Sequence, residues 1–225
     1  MTADISEIRP GGRKSEPGAR LIGIIGPPAA GKTTLAENLA AGLPAELIRE
    51  DYAGNPFLAD SCAGRPDARL PAQLFFLLSR VRQLSLSSWP AEGLRVSDYG
   101  FLQDRIYARL RLAGDEFKAY LSVADRVEAM VKPPDLLIHL DAPEDVLLKR
   151  IARRGRAFER AMDAGFLSAV RKAYNNAVRD VACPVIRAEC GRTDLRRAGA
   201  LAAMMEEIRR ALTATTAAGS EHERR

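Results

Sequence analysis

The sequence predicts an α/β fold, a three-layer sandwich with helices on both faces of a five-stranded parallel sheet. Short apolar runs alternate with segments of helical periodicity, which is the pattern of parallel strands joined by crossover helices. A loop rich in glycine and proline also separates the first apolar run from the first helical segment. The five runs lie near residues 21–26, 45–49, 94–98, 134–140 and 184–188.

That loop, residues 26–34, matches G-x-x-x-x-G-K-S/T in full, between a strand and the helical spacing of Leu35 and Leu39. Glycines allow successive N–H groups to point inward and surround phosphate oxygens at a helix N-terminus. Lys32 would reach the β- and γ-phosphates of ATP, and Thr33 a magnesium ion. The motif predicts a P-loop NTPase-type fold but no particular reaction. The predicted phosphate-binding residues are Gly26, Ala29, Ala30, Gly31, Lys32, Thr33 and Thr34.

The chain has 225 residues and 47% hydrophobic content, enough for a substantial core. We expect one domain over residues 20–212, between a disordered leader at 1–19 and a disordered tail at 213–225, because both ends lack periodicity. No apolar run approaches the roughly 20 residues that span a bilayer, and no signal-peptide core is visible. These features predict a cytoplasmic protein with no membrane partner.

Charge and cysteine content argue against two further classes, nucleic-acid-binding proteins and proteins held together by disulfides. The net charge of +5 is spread over many helices, and aromatic residues for base stacking make up only 6% of the chain, so no nucleic-acid partner is expected. Cys62, Cys183 and Cys190 lack metal-ligand spacing, and an odd number argues against a disulfide framework. We therefore expect free thiols.

Two long helices are predicted, at about 71–87 and 115–131. In the first, Gln73 and Arg80 are seven residues apart and share a face, about 10.5 Å apart along the axis. Two polar groups so placed could grip opposite ends of a flat ligand. A solvated helix face is the alternative interpretation of this pair.

Acidic residues follow the predicted strands at the sheet edge where ligands bind in such folds. Glu50 and Asp51 follow the second strand and are candidate general bases, although solvated loop charges would look the same. Asp98 ends the third strand, where it could support magnesium. Asp104 begins a helical stretch and could instead be an N-cap. His139 lies within the fourth strand and is expected to be a packed core residue.

A cluster of basic residues follows the fourth strand. Gly155 loosens the predicted helix there, and arginine forks clamp phosphate in two places. We expect a mobile arginine lid, with a solvated helix face as the alternative. The last strand, at 184–186, and the helix at 194–212 offer no chemistry. The cluster comprises Lys149, Arg150, Arg153, Arg154, Arg156 and Arg160.

Taken together, these motifs resemble the deoxynucleoside kinase family over residues 20–181. The residues that carry the resemblance are the P-loop, Glu50 with Asn55-Pro56-Phe57-Leu58, Gln73 to Arg80, Ser97-Asp98-Tyr99, Asp104 to Ala108, and Pro134-Asp135-Leu136 through Arg153 to Glu159. The resemblance implies transfer of phosphate from ATP to the 5′-hydroxyl of a deoxynucleoside. It also implies a homodimer, paired through the two long helices.

The resemblance assigns roles to individual residues. Glu50 would accept the proton of the 5′-hydroxyl, and Glu159 would lie near the 3′-hydroxyl. The base edge would be held by Gln73, Arg80 and Asp104, and the lid would consist of Arg150, Arg154 and Arg156. Asp98 would lie near magnesium. Because Arg80 with Asp104 offers donors and acceptors, this wall suits the edge of a purine or of cytosine, and of the two we favour a purine deoxynucleoside.

The chain departs from the family pattern at two places. Tyr99 stands where many members have arginine, so one positive charge near the phosphates or Glu50 is missing, and lid arginines could compensate. Around residues 60–69, only Ser61 and Cys62 stand where many members have a tyrosine against the 3′-hydroxyl; Tyr52 is nearby in sequence. Two alternatives therefore stay open: a nucleoside monophosphate kinase resembling thymidylate kinase, and a nucleotide-binding protein without catalysis.

Overall fold

The computed structural model describes the backbone of residues 18–222 and the side chains of residues 18–214. Within this range the strands are β1 (Arg20–Ile25), β2 (Ala45–Ile48), β3 (Leu94–Ser97), β4 (Leu136–Asp141) and β5 (Val185–Glu189). The α-helices are α1 (Lys32–Gly42), α2 (Leu58–Cys62), α3 (Pro66–Gln83), α4 (Leu102–Arg111), α5 (Gly114–Val127), α6 (Glu144–Arg154), α7 (Ala164–Ala177) and α8 (Ala198–His222).

The five strands form one parallel sheet in the order β2-β3-β1-β4-β5. All carboxyl ends therefore meet at one edge, and β1 lies in the centre, so the P-loop leaves the middle of that edge. Ile48 of β2 is paired with Ser97 of β3, which brings the segments after these two strands together. The predicted five-stranded parallel sandwich is confirmed.

Alternation along β1 divides the core between the two faces of the sheet. Ile22 and Ile24, fully buried, point to the face covered by α1 and α8, whereas Ile25 points to the face covered by α4 and α7. Each such isoleucine contributes roughly 1.5–3 kcal/mol by leaving water. The residues packed on the first face include Leu35, Leu39, Met204 and Ile208, and those on the second Ile106, Val170 and Tyr174.

Helix boundaries differ from prediction at several points. Helix α3 begins at Pro66 rather than at 71, because a proline in the first turn loses no helical hydrogen bond, and Pro71 lies inside the helix. Helix α5 covers 114–127, and α8 begins at Ala198. Helix α8 also continues to His222, past the predicted domain end at 212, since that segment keeps residues compatible with helix. The leader at 1–17 and residues 223–225 lie outside the described residues.

Three further features of the described residues are the state of the cysteines, the character of the helices and the position of His139. Cys62, Cys183 and Cys190 are free thiols, as predicted. Between residues 18 and 222, no helix has both the length and the apolar character that crossing a bilayer requires. His139 is buried within β4 and its ring stacks on Tyr174, which confirms its predicted place in the core.

Candidate active site

The P-loop has the backbone conformation that its glycines predict. Gly26, Ala29 and Gly31 have positive φ angles of 142°, 61° and 105°. A Cβ at Gly26 would lie 2.1 Å from the carbonyl oxygen of Leu140, so only glycine fits against β4 there. The loop turns directly into α1, whose first N–H groups face the cavity edge where a phosphate would bind.

Lys32 folds back over the loop. Its Nζ donates to the carbonyl oxygens of Gly26 at 2.8 Å and Pro27 at 3.0 Å. Burial lowers the pKa of Lys32 to about 8, against the opposing effect of the Glu50 and Asp98 carboxylates. A bound phosphate chain would add negative charge and favour the ammonium form.

Asp98 ties the P-loop to the end of β2. Its Oδ2 accepts a hydrogen bond from the Thr33 hydroxyl at 2.6 Å, and its Oδ1 accepts from the backbone N–H of Glu50 at 2.7 Å. The hydroxyl of Thr33 and the carboxylate of Asp98 are hard oxygen donors of the kind that Mg²⁺ takes. Within residues 18–214 no group of three or more His, Cys, Asp or Glu side chains that could hold a metal ion exists.

Glu50 faces the cavity just beyond β2. Its Oε1 accepts hydrogen bonds from the Arg80 guanidinium and from Gln103 Nε2, the latter at 2.7 Å. Among the described residues, none hydrogen-bonds to the other oxygen, Oε2. The side chain is 23% exposed and lines the cavity. Glu50 therefore presents one carboxylate oxygen to whatever the cavity holds.

Arg80 is shared between two carboxylates. Besides Glu50 it pairs with Asp104 on α4, and its guanidinium lies 5.1 Å from the centre of the Phe76 ring and 5.2 Å from that of Tyr99. Although burial opposes the charge, these two carboxylates raise the pKa of Arg80 above its usual value. Arg80 is thus a fixed cation at the cavity wall.

Asp104 lies neither at the helix N-cap nor at the cavity wall, the two positions that the sequence analysis considered. It is the third residue of α4, and Phe101 occupies the N-cap position, so the N-cap interpretation is wrong. Asp104 is only 2% exposed and lies behind Arg80, away from the cavity lining, with its Oδ2 unpartnered. Burial raises the pKa of Asp104 to about 7, despite the opposing effect of Arg80.

One cavity of about 580 Å³ joins the P-loop to α3. A triphosphate at the loop and a second small molecule at Gln73, Phe76 and Glu50 would share it. Of the predicted site residues, only Gly26 and Asp104 do not line it. Those that do are Ala29, Ala30, Gly31, Lys32, Thr33, Thr34, Glu50, Gln73, Arg80, Asp98, Arg150, Arg154, Arg156 and Glu159.

The predicted arginine lid lies over this cavity, with each arginine on an internal partner. Arg150 donates to the carbonyl oxygen of Cys190 at 2.6 Å, and Arg154 holds the buried Glu159 through two bonds of 3.0 and 2.6 Å. Arg156 stacks on the Tyr52 ring at 4.1 Å. Helix α6 ends before Arg156, because Gly155 takes the left-handed conformation.

The structure shows where the residues at the two departures from the family pattern lie relative to the cavity. Tyr99 is fully buried, and its hydroxyl donates to Gln83, so it does not face the cavity. Among the described residues, the cation paired with Glu50 is Arg80, and compensation by the lid arginines stays a prediction. Cys62 lines the cavity, whereas Ser61 does not.

Sequence reasoning missed several wall residues. The segment after β5, residues 190–196, lines the cavity beside the P-loop, although this part of the chain was expected to offer no chemistry. It follows a parallel strand at the same sheet edge, which is the signal that could have indicated it. Within the helices, Phe76 and Tyr107 lie in segments that carry the family resemblance but were given no role, whereas Gln103 and Arg111 carried no motif.

A central P-loop with acids just after β2 and β3 and a second binding space in the same cavity defines a P-loop enzyme of the phosphoryl-transfer class. The family model that matches residues 22–212 is described as deoxynucleoside kinase. The chain belongs to the deoxynucleoside kinase family, and it is a nucleoside kinase.

Individual relatives agree with this family. A deoxyguanosine kinase from Bacillus subtilis (strain 168) is 29% identical over 166 residues, 72% of this chain and 80% of the relative. A deoxyadenosine kinase from Dictyostelium discoideum is 30% identical over 174 residues, 74% and 69% of the two chains. A solved deoxyadenosine kinase from M. mycoides with bound dATP has the same fold, with a TM-score of 0.72, 19% identity and coverage of 84% of this chain and 99% of that one.

Proposed function

We propose that this protein transfers the γ-phosphoryl group of ATP to the 5′-hydroxyl of a deoxynucleoside. The observation that carries the proposal is Glu50, which offers a free Oε2 in the cavity that also contains the P-loop. A general base must lie within hydrogen-bond reach of the proton it takes. A 5′-hydroxyl between Glu50 and the P-loop would meet that condition.

In the proposed step, Glu50 Oε2 accepts the proton of the hydroxyl as the O5′–Pγ bond forms and the bond from Pγ to the leaving oxygen of ADP breaks. Lys32, with Arg150, Arg154 and Arg156, would stabilise charge on the transferred group. The arginines would exchange their internal partners for phosphate oxygens. Catalysis is thus mainly positioning and electrostatic stabilisation.

Magnesium and the phosphate chain fit the residues at the loop. The backbone of the P-loop would bind the phosphates, while Thr33 and Asp98 would hold Mg²⁺ directly or through water. Bound there, the ion would neutralise phosphate charge. Thr33 and Asp98 already face each other at 2.6 Å, so both are aimed at one point next to the loop.

The acceptor end of the cavity suits a flat base. Gln73 and Arg80 lie on one face of α3 and both line the wall, where an amide and a guanidinium could bind the edge of a purine. Asp104 would act through Arg80. Glu159, with Cys62 and Tyr52 nearby on the wall, marks the end where the sugar 3′-hydroxyl would lie. The names of the relatives, deoxyguanosine and deoxyadenosine kinases, support the purine preference.

The decisive experiment is Glu50→Gln assayed beside the wild type with ATP. Turnover should fall at least ~100-fold while ATP binding persists, because the amide keeps the shape but cannot accept the proton. Near-normal turnover would remove Glu50 from the mechanism.

Acceptor class is tested with a panel of deoxynucleosides and their monophosphates. We expect product from purine deoxynucleosides. Product from monophosphates alone would favour the thymidylate kinase-like alternative. Tight ATP binding with no product from any acceptor would favour a nucleotide-binding protein without catalysis.

We also infer a homodimer in the cytoplasm. Helices α3 and α5 pack side by side and carry apolar side chains near the surface, with Leu78 on α3 53% exposed. A second copy would cover that face, as the family resemblance implies. ATP as the donor and three free thiols suit the reducing cytoplasm.

A further inference from the structure

Gln103 lies on α4, one residue before Asp104, and is only 3% exposed, yet its side chain reaches the cavity. Its Nε2 donates to Glu50 Oε1 at 2.7 Å, and its Oε1 accepts from the Tyr174 hydroxyl at 3.4 Å. We propose that Gln103 is a positioning residue that holds the Glu50 carboxylate so that Oε2 faces the acceptor hydroxyl. This inference rests on the proposed role of Glu50 as the general base.

Tyr174 determines which way the Gln103 amide points. A carboxamide has a donor end and an acceptor end, and only the donor end is attracted to a carboxylate. Tyr174 comes from α7, is fully buried, and offers its hydroxyl proton to the acceptor end. Burial raises the pKa of Tyr174 well above its usual value, so the hydroxyl stays protonated. The NH₂ group is therefore held towards Glu50.

Two donors from two helices fix one oxygen of Glu50. Arg80 approaches from α3 and Gln103 from α4, and both reach Oε1. The arrangement thus prevents rotation of the carboxylate and leaves Oε2 for the proton of the acceptor. A displacement of the base by about 1 Å can cost roughly 100-fold in rate.

Several other ionisable groups surround Glu50. The charged ones are Lys32, Arg80, Asp98 and Asp104. The tyrosines are Tyr99, Tyr107 and Tyr174, whose pKa values burial raises, so they remain neutral. Substitutions at Gln103 leave all of them in place, which makes its contribution separable.

The test compares two substitutions at this position. Gln103→Met keeps the length of the side chain and removes both hydrogen bonds, and it should lower kcat about 10- to 100-fold with KM for ATP changed less than about twofold. Gln103→Glu places a second carboxylate beside Glu50. The new carboxylate repels Glu50 and donates no hydrogen bond to Oε1, so kcat should fall further than in Gln103→Met, with KM for ATP again changed less than about twofold.

Controls separate this inference from the function on which it rests. Gln83→Met, outside the cavity, should keep kcat and KM for ATP within about twofold of wild type. Wild-type kcat in both Gln103→Met and Gln103→Glu, with Glu50→Gln inactive, would overturn the role of Gln103 alone. Near-normal turnover of Glu50→Gln would overturn the base assignment as well.

Thermal unfolding shows whether each variant is folded. If Gln103→Met is unfolded, the kcat of Gln103→Glu decides. If both fail to fold, Tyr174→Phe decides, because it removes only the hydroxyl that orients the amide. That variant should lower kcat several-fold, and unchanged kcat would contradict the proposal.

Discussion

Arg80 is the residue on which the acceptor half of the cavity depends. Its guanidinium lies between the rings of Phe76 and Tyr99 and reaches Glu50 on one side and Asp104 on the other. Tyr99 takes the position that many family members give to arginine, and in this chain it contributes an aromatic face instead of a charge. Such cation–π contacts contribute roughly 0.5–2 kcal/mol, more when desolvated. The cation beside Glu50 is thus supplied from α3.

Asp104 predicts an unusual pH dependence of stability. Its pKa is raised from 3.8 to about 7 in the folded protein, mainly by burial. Between these values the folded state holds a proton that the unfolded chain has lost, so the free energy of unfolding falls as pH rises from about 4 to 7. A shift of about three units corresponds to at most about 4 kcal/mol.

Asp104→Asn removes this titration. Its melting temperature relative to wild type should therefore rise progressively from pH 4 to pH 7 and stay level above that. Calorimetry of both proteins across this range measures the effect. Melting curves that shift in parallel at all pH values would contradict it.

Among the elements, α6 shows how one glycine places a group of arginines. Gly155 ends the helix with φ 70°, and the chain then turns so that Arg156 and Glu159 fall over the cavity rather than continuing along the helix axis. A Cβ at this position meets nothing within 4 Å, so the left-handed backbone is the sole constraint on the residue.

Gly155→Ala should therefore cost about 1–2 kcal/mol through backbone strain alone, which lowers the melting temperature by roughly 2–8 °C in a protein of this size. Gly155→Asn should recover much of that loss, because asparagine tolerates this conformation. Equal stability of the alanine variant and the wild type would show that the chain turns in another way.

The elements also show which features a sequence can predict. The P-loop, Glu50 and Asp98 were predictable because a spacing motif and strand ends place them at one edge. The start of α3 was not, since either Pro66 or Pro71 could open a helix. Gln103 carried no signal, because its role depends on how α4 packs against α7. Asp104 was predicted to lie at the cavity, whereas it lies behind Arg80. The reason is the same, because a sequence does not show which of two packed side chains lies closer to a cavity.

At the scale of the whole molecule, the packed pair α3 and α5 leaves an apolar surface. Leu78 is among the most exposed large apolar side chains of the described residues. If a second copy covers it, the protein should sediment at about 49 kDa, twice the 24.5 kDa of one chain. A patch of this kind is otherwise a liability for aggregation.

Leu78→Glu should shift the sedimenting species towards 24.5 kDa, because a carboxylate in an apolar interface carries a large desolvation cost. Phe57→Glu is the matched control, since Phe57 is 41% exposed and belongs to neither of these two helices. A mass unchanged by Leu78→Glu, or one that Phe57→Glu lowers equally, would contradict an interface on this face.

The strand order has a consequence for synthesis. Strand β1 leaves the ribosome first, yet its neighbours β3 and β4 end only at Ser97 and Asp141. The carbonyl of Leu140 that packs under Gly26 and the Asp98 that holds Thr33 both arrive after the P-loop itself has been made. Until then β1 is an apolar strand with two open edges, the kind of segment that chaperones protect. ATP can therefore stabilise the finished domain but not the nascent chain that carries its phosphate loop.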